Sequence, residues 1–212
     1  MANGDTVSSI YRGGDLPDGV TGAIADITDT DAVNAAFDEL EAMHGRVRVL
    51  VANAGITRDG LLMRMSDEDF SAVIDTNLTG TFRTVRRAVN SMMREKYGRI
   101  VLVGSVVGLL GNPGQVNYSA SKSALVGMAR SITREVGGRG ITANVVAPGF
   151  IATDMTAELG DDAIKQYESS IPAKRFGTTQ DVAAATVFLA SDAAGYVSGA
   201  VLPVDGGLGM GH

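Results

Sequence analysis

Three short runs constrain this chain more than any other feature: "VRVLV" at residues 47–51, "RIVLV" at 99–103 and "TANVVA" at 142–147. Each is largely apolar, without strict alternation of polar and apolar positions. A strand apolar on both faces must be covered on both, which is the place of a parallel strand between two helix layers. Further strand-like runs stand at 6–10, 22–25 and 200–204, and segments of helical character at 31–43, 67–95, 118–136 and 180–190. Alternation of this kind implies right-handed crossovers and an α/β fold with a doubly wound parallel sheet flanked by helices. At 212 residues, with no repeat, linker or low-complexity tract, the chain reads as one domain, 1–212. Residues 150–176 break the rhythm with mixed helix and loop, the character of a substrate lid beside a sheet edge.

Composition narrows the function classes. There are 24 acidic and 18 basic side chains, for a net charge of −6, which argues against general nucleic-acid or membrane-surface binding. No cysteine is present, so disulfides and thiol nucleophiles are excluded. No apolar run approaches a membrane span and no signal peptide is visible, so the reading is cytoplasmic. No metal-ligand spacing is found; His44 and His212 lie far apart and read as surface residues, and the nine methionines read as core filler.

Ligands of open α/β sheets bind at the carboxyl ends of the strands. Four phrases fall there: "NAG" (53–55) after VRVLV, "GSVVG" (104–108) after RIVLV, "NYSASK" (117–122) opening the next helix, and "PGFIATDM" (148–155) after TANVVA. Tyr118 and Lys122 are four residues apart and share a helix face. A free tyrosine titrates near ~10, and a neighbouring ammonium favours the phenolate. Lys122 can also hydrogen-bond a ribose. Ser105 offers a hydroxyl to a substrate carbonyl, and Asn77 in "DTNLTG" can hold a water from within its helix. Together they form a proton donor, a charge tuner, a carbonyl holder and a proton relay, a set suited to carbonyl reduction with a nicotinamide supplying hydride. Singly, each has an ordinary structural explanation; as an ordered set at successive strand ends they favour an active site.

The phrases "NAG", "NLTGTF", "GSVVG", "YSASK", "NVVAPGFIATDM", "FLASDAAGYVSG" and "VDGG" stand here in the order seen in the short-chain dehydrogenase/reductase family. The chain resembles that family from about Ala25 to its end, and "IPAKRFGTTQDVA" with "VDGGLGMGH" resembles the subgroup of 3-oxoacyl-[acyl-carrier-protein] reductases. The resemblance implies a Rossmann-like fold, a catalytic set of Asn77, Ser105, Tyr118 and Lys122, and NADPH as cofactor. It implies that Asp26 and Ile27 flank the adenine, that Asn53 and Gly55 lie along the cofactor with Tyr118 and Lys122, and that Ile151 stands near the nicotinamide. Arg12 follows the strand where the family sets cofactor choice, and a guanidinium there suits a ribose 2′-phosphate. The implied partners are carrier-bound 3-oxoacyl substrates of fatty acid synthesis, in lipid metabolism, and further copies of the chain as a homotetramer. An acidic carrier calls for a local basic patch; Lys96, Arg99 and Arg139 stand near helix ends and strand starts, and the resemblance places Lys96 and Arg139 near the active-site entrance. Neither nucleic acid nor membrane is implied.

The family opens with a strand, a Thr-Gly-x-x-x-Gly-x-Gly loop and a helix, in strand order 3-2-1-4-5-6-7. "ANGDTVSSIYRGG" resembles the end of that helix and the second strand, so the fold is expected to be N-terminally truncated, with NADPH binding weakened for want of the glycine-rich loop. Two alternatives remain open on the sequence: a non-catalytic, oligomer-forming fragment, and a reductase of the same family acting on another ketone or alcohol.

Overall fold

The computed structural model describes residues 4–152 and 161–210. His212 and residues 153–160 of the expected lid lie outside them. Two short strands open the described chain, β1 (Ser8–Tyr11) and β2 (Thr21–Ile24), followed by helix α1 (Thr30–His44). Then come β3 (Val49–Ala52), α2 (Asp67–Ile74), a π-helical turn (Asp75–Gly80) and α3 (Thr81–Glu95). After β4 (Gly98–Val103), the short α4 (Val107–Leu110) and the long α5 (Val116–Val136), the chain enters β5 (Ile141–Pro148). Helices α6 (Asp161–Ser170) and α7 (Thr179–Ala190) precede the last strand, β6 (Val201–Val204). The α/β reading holds: every strand pairing is parallel, and helices flank the sheets.

Local chemistry sets the helix starts. Asp29 accepts hydrogen bonds from the Asp31 and Ala32 amides at 2.8 and 3.1 Å and so caps α1. Ser66 caps α2, and Thr178 with Asp181 forms a reciprocal capping box on α7. The strands alternate between two apolar clusters. Ile100 and Leu102 of β4, with Ala143 and Val145 of β5, face the layer of α1, α3 and α5. Val101 and Val146 face α7 through Leu189.

The sheet is divided. β1 and β2 form one parallel pair, and β3-β4-β5-β6 form a separate four-stranded sheet. The division falls where the expected strand order places a further strand between β1 and β3. Ile10 of β1 and Leu50 of β3 nevertheless lean on one core cluster with Ile27, Phe37 and Val85. The opposite face is bare: Val49 and Val51 of β3, beside the division, and Ile24 of β2 are exposed.

Residues 67–95 are helical throughout, as expected, with one irregularity: the π-helical turn Asp75–Gly80 joins α2 to α3. Asn77 lies in that turn and bonds a neighbouring loop, as described below. At Gly80 an added Cβ would stand 2.7 Å from the Ile27 side chain, so any larger residue would have to displace Ile27. The methionines are not uniformly core: Met92 is fully buried, whereas Met43, Met63 and Met210 are exposed. His44 is at the surface, 3.0 Å from the Thr21 hydroxyl.

Candidate active site

The carboxyl ends of β3, β4 and β5 and the start of α5 bring all four quoted phrases together. Asn53, Gly55, Ile56, Val103, Ser105, Tyr118, Lys122, Pro148 and Gly149 are among the residues lining one cavity of about 230 Å³. A second, of about 100 Å³, is lined by Ile10, Arg12, Ala25, Asp26, Ile27, Gly55 and Ile56, among others. Gly55 and Ile56 belong to both, so the two form one trough across the sheet division. Of the expected cofactor residues, Arg12, Asp26, Ile27, Asn53 and Gly55 all line it. Ile151 lies just beyond Gly149 and bridges Gly177 instead.

Tyr118 and Lys122 sit in the first two turns of α5, facing β4. The Lys122 Nζ donates to the Val103 carbonyl at 2.8 Å and lies 5.6 Å from the centre of the Tyr118 ring. Lys122 is nearly fully buried, and burial lowers its pKa to about 8. Gly55 permits this approach: an added Cβ would stand 3.2 Å from the Asn77 Oδ1 and 3.5 Å from the Lys122 Nζ. Burial pushes the Tyr118 phenol above its ordinary value; the Ser105 hydroxyl opposes the rise and the Asp59 carboxylate adds to it. The expected lowering of Tyr118 by Lys122 is therefore absent. The ammonium is turned to a backbone carbonyl, and desolvation dominates the phenol.

Asn77 is fully buried, and its side chain is committed to structure. Its Oδ1 accepts from the Ile56 amide at 2.8 Å, while its Nδ2 donates to the Ile56 carbonyl at 3.0 Å and to the Ser121 hydroxyl at 3.2 Å. Asn77 thus fixes the loop after β3 against α5 at Ser121, the residue directly before Lys122. At the other end of the trough, the Asp26 Oδ1 accepts from the Thr28 amide and hydroxyl, both at 2.8 Å. These bonds, aided by the Arg12 charge, hold its carboxyl below the ordinary range.

The expected docking cations are misplaced within one chain. Arg99 is 6% exposed; its guanidinium bonds the Gly98, Gly140 and Ser191 carbonyls and pairs with Asp192 at 3.3 Å. It is a core arginine. Lys96 and Arg139 are exposed, but they precede β4 and β5, at the sheet edge opposite the trough. The 21-residue α5 separates Tyr118 from Arg139 by about 30 Å at 1.5 Å per residue. Ser121 and Asn117, to which the sequence alone assigns no role, are each fully buried beside a site residue. The signal available was a polar, helix-indifferent residue adjoining a candidate in "NYSASK".

Residues 13–209 match the family model described as enoyl-(acyl carrier protein) reductase. Over its full length the chain is 53% identical to the 3-oxoacyl-[acyl-carrier-protein] reductase MabA of Mycobacterium tuberculosis, covering 85% of that protein. It is 51% identical to MabA of Mycobacterium avium over 211 residues, covering 83% of it. Across 189 residues, 89% of this chain, it is 48% identical to the 3-oxoacyl-[acyl-carrier-protein] reductase FabG of Escherichia coli, covering 78% of it. With the strand-end trough and its Ser, Tyr, Lys and Asn side chains, these similarities place the chain in the short-chain dehydrogenase/reductase family.

Proposed function

We propose that this chain is an NADPH-dependent 3-oxoacyl-[acyl-carrier-protein] reductase of fatty acid synthesis, acting in the cytoplasm as a single domain within a homotetramer. The observation that carries the reading is the trough that joins Ser105, Tyr118 and Lys122 to Arg12 and Asp26 through Gly55 and Ile56. Its two ends fit the two halves of a dinucleotide. Arg12, Asp26 and Ile27 would hold the adenosine, the guanidinium meeting a 2′-phosphate. Tyr118, Lys122 and Asn53 would hold the nicotinamide riboside. When bound, the cofactor supplies a hydride. The residues of this chain do the rest. Ser105 donates to the substrate carbonyl oxygen, and Tyr118, kept protonated by burial, delivers its phenolic proton to that oxygen. Lys122, whose pKa of about 8 leaves it an ammonium at neutral pH, stabilises the phenolate left behind and returns a proton to it, and solvent then reprotonates the amine.

Docking of an acidic carrier protein is placed on the assembled oligomer. An antiparallel pairing of α5 across a two-fold axis would carry the Arg139 end of one copy to the Tyr118 end of the other.

A specific observation favours a second reading, the non-catalytic oligomer-forming chain. The sheet is divided at the trough, and no glycine-rich turn opening a helix lines the trough's middle among the described residues. One experiment separates the two. NADPH binding is measured by calorimetry, and its oxidation in the presence of a 3-oxoacyl thioester by absorbance, for the wild type and for Tyr118→Phe. The reductase reading expects weak cofactor binding, unchanged in the variant, and turnover reduced about a hundredfold or more by loss of the phenolic proton. Absence of both binding and turnover in the wild type overturns it in favour of the second reading.

A further inference from the structure

Two buried asparagines grip the same loop. Asn77 holds Ile56 by both its amide and its carbonyl, and Asn117, two residues further along the loop, holds Arg58. Asn117 is fully buried in the first turn of α5, directly before Tyr118. Its Nδ2 donates to the Arg58 carbonyl at 2.8 Å and lies 3.5 Å from the Asp69 carbonyl in α2. Its Oδ1 accepts from the Tyr118 amide at 2.8 Å.

That amide is the third of α5, one of the helix-start N–H groups that lack an intrahelical partner. The site therefore demands an acceptor on one side and a donor on the other, both from a short side chain. Asparagine supplies both. An ionised aspartate would keep the acceptor but press a carboxylate against two carbonyl oxygens, and an apolar residue would strand all three backbone groups. Two neighbouring bonds tie the same strip: the Gly60 amide to the Gly114 carbonyl at 2.8 Å, and the Gln115 Nε2 to the Asp59 carboxylate at 2.9 Å. The strip matters because the residues just before it, Asn53 and Gly55–Thr57, form the wall of the cavity facing Tyr118 and Lys122.

We propose that Asn117 is a positioning residue for the reaction, a clamp that sets the Tyr118 end of α5 against the cavity wall. The proposal rests on the reductase reading only for its effect on turnover; the clamp itself is a statement about geometry. With Asn77 holding one point and Asn117 the next, the wall is fixed at two successive points. The phenol then meets a substrate carbonyl at a set distance rather than through a moving loop.

The test is amide hydrogen exchange by NMR on the full chain, for the wild type, Asn117→Asp and Asn117→Ala, combined with steady-state kinetics. In the wild type the Tyr118 amide is expected to be protected despite its place at a helix start; free exchange there overturns the clamp without any variant. In Asn117→Asp the Ile56 and Gly60 amides are expected to exchange about tenfold faster while Tyr118 keeps its protection. In Asn117→Ala all three loosen, and amides of β4 and β5 are unchanged in both variants. A uniform loss of protection across the sheet would mean a merely structural residue and overturn the proposal. With a 3-oxoacyl thioester and NADPH, kcat is expected to fall about tenfold at unchanged KM. Unchanged kcat in an active enzyme overturns the positioning role. Localised exchange changes in a chain without reductase activity support the clamp and condemn the functional reading instead.

Discussion

Lys122 carries an ammonium into a nearly closed site, and the cost of doing so is measurable. Its pKa is lowered from 10.5 to about 8, with desolvation the cause. Below pH 8 both the folded and the unfolded chain hold the proton, and the folded state bears the full penalty. Between 8 and 10.5 the folded state releases the proton while the unfolded state keeps it, so the unfolded state binds more protons and stability rises with pH. Integrating that difference gives about 2 kcal/mol between about pH 7 and about pH 9.5. Lys122→Met keeps the length of the stem and removes the titration. It also removes the bond to the Val103 carbonyl, but that loss does not vary with pH and leaves the slope untouched. Tyr118 does not interfere, because burial moves its titration above this window. Urea unfolding followed by far-ultraviolet circular dichroism suits a chain with no tryptophan. The stability of the wild type relative to Lys122→Met is expected to climb by roughly 2 kcal/mol across the window. A difference that stays flat, or falls with pH, refutes the argument that burial depresses this lysine.

Two further expectations follow from the packing. Arg87 joins α3 to α1 through Asp38 at 2.6 Å and Glu41 at 2.8 Å, and both Arg87 and Glu41 are largely buried. Arg87→Met is expected to destabilise by about 2 kcal/mol in urea titrations, because it leaves the Glu41 carboxylate half-sealed without its cation; a loss too small to measure counts against that interface. The β1–β2 pair, which has no third strand among the described residues, is expected to exchange its amides well before β4 and β5 do. Equal protection by exchange mass spectrometry would show that leaning on the shared core suffices to hold it.

The elements and the chemical inventory were legible in the linear chain. Apolar runs such as 99–103 and 142–147 had to be covered on both faces, which dictates parallel strands and helix layers, and the observed β4 and β5 lie where those runs predicted. The spacing of Tyr118 and Lys122 dictates a shared helix face, and the carboxyl-edge rule gathers both with Ser105. These properties are local, or follow from one periodicity, so a linear reading captures them. What the tertiary structure alone decided are relations between segments distant in the chain. Arg99 reads as a surface cation until Asp192 and two strand-end carbonyls close around it. Lys96 and Arg139 read as neighbours of the active site until the direction of β4 and β5 places them at the opposite edge. Asn77 reads as a residue of a continuous helix until the loop at Ile56 claims its amide and the backbone widens into a π turn. Asn117 carries no signal beyond its position before Tyr118 until Arg58 arrives from 59 residues away. For the three buried groups, Arg99, Asn77 and Asn117, the deciding factor is the desolvation of a polar group. That cost depends on which distant backbone groups surround the side chain, and no local pattern records it.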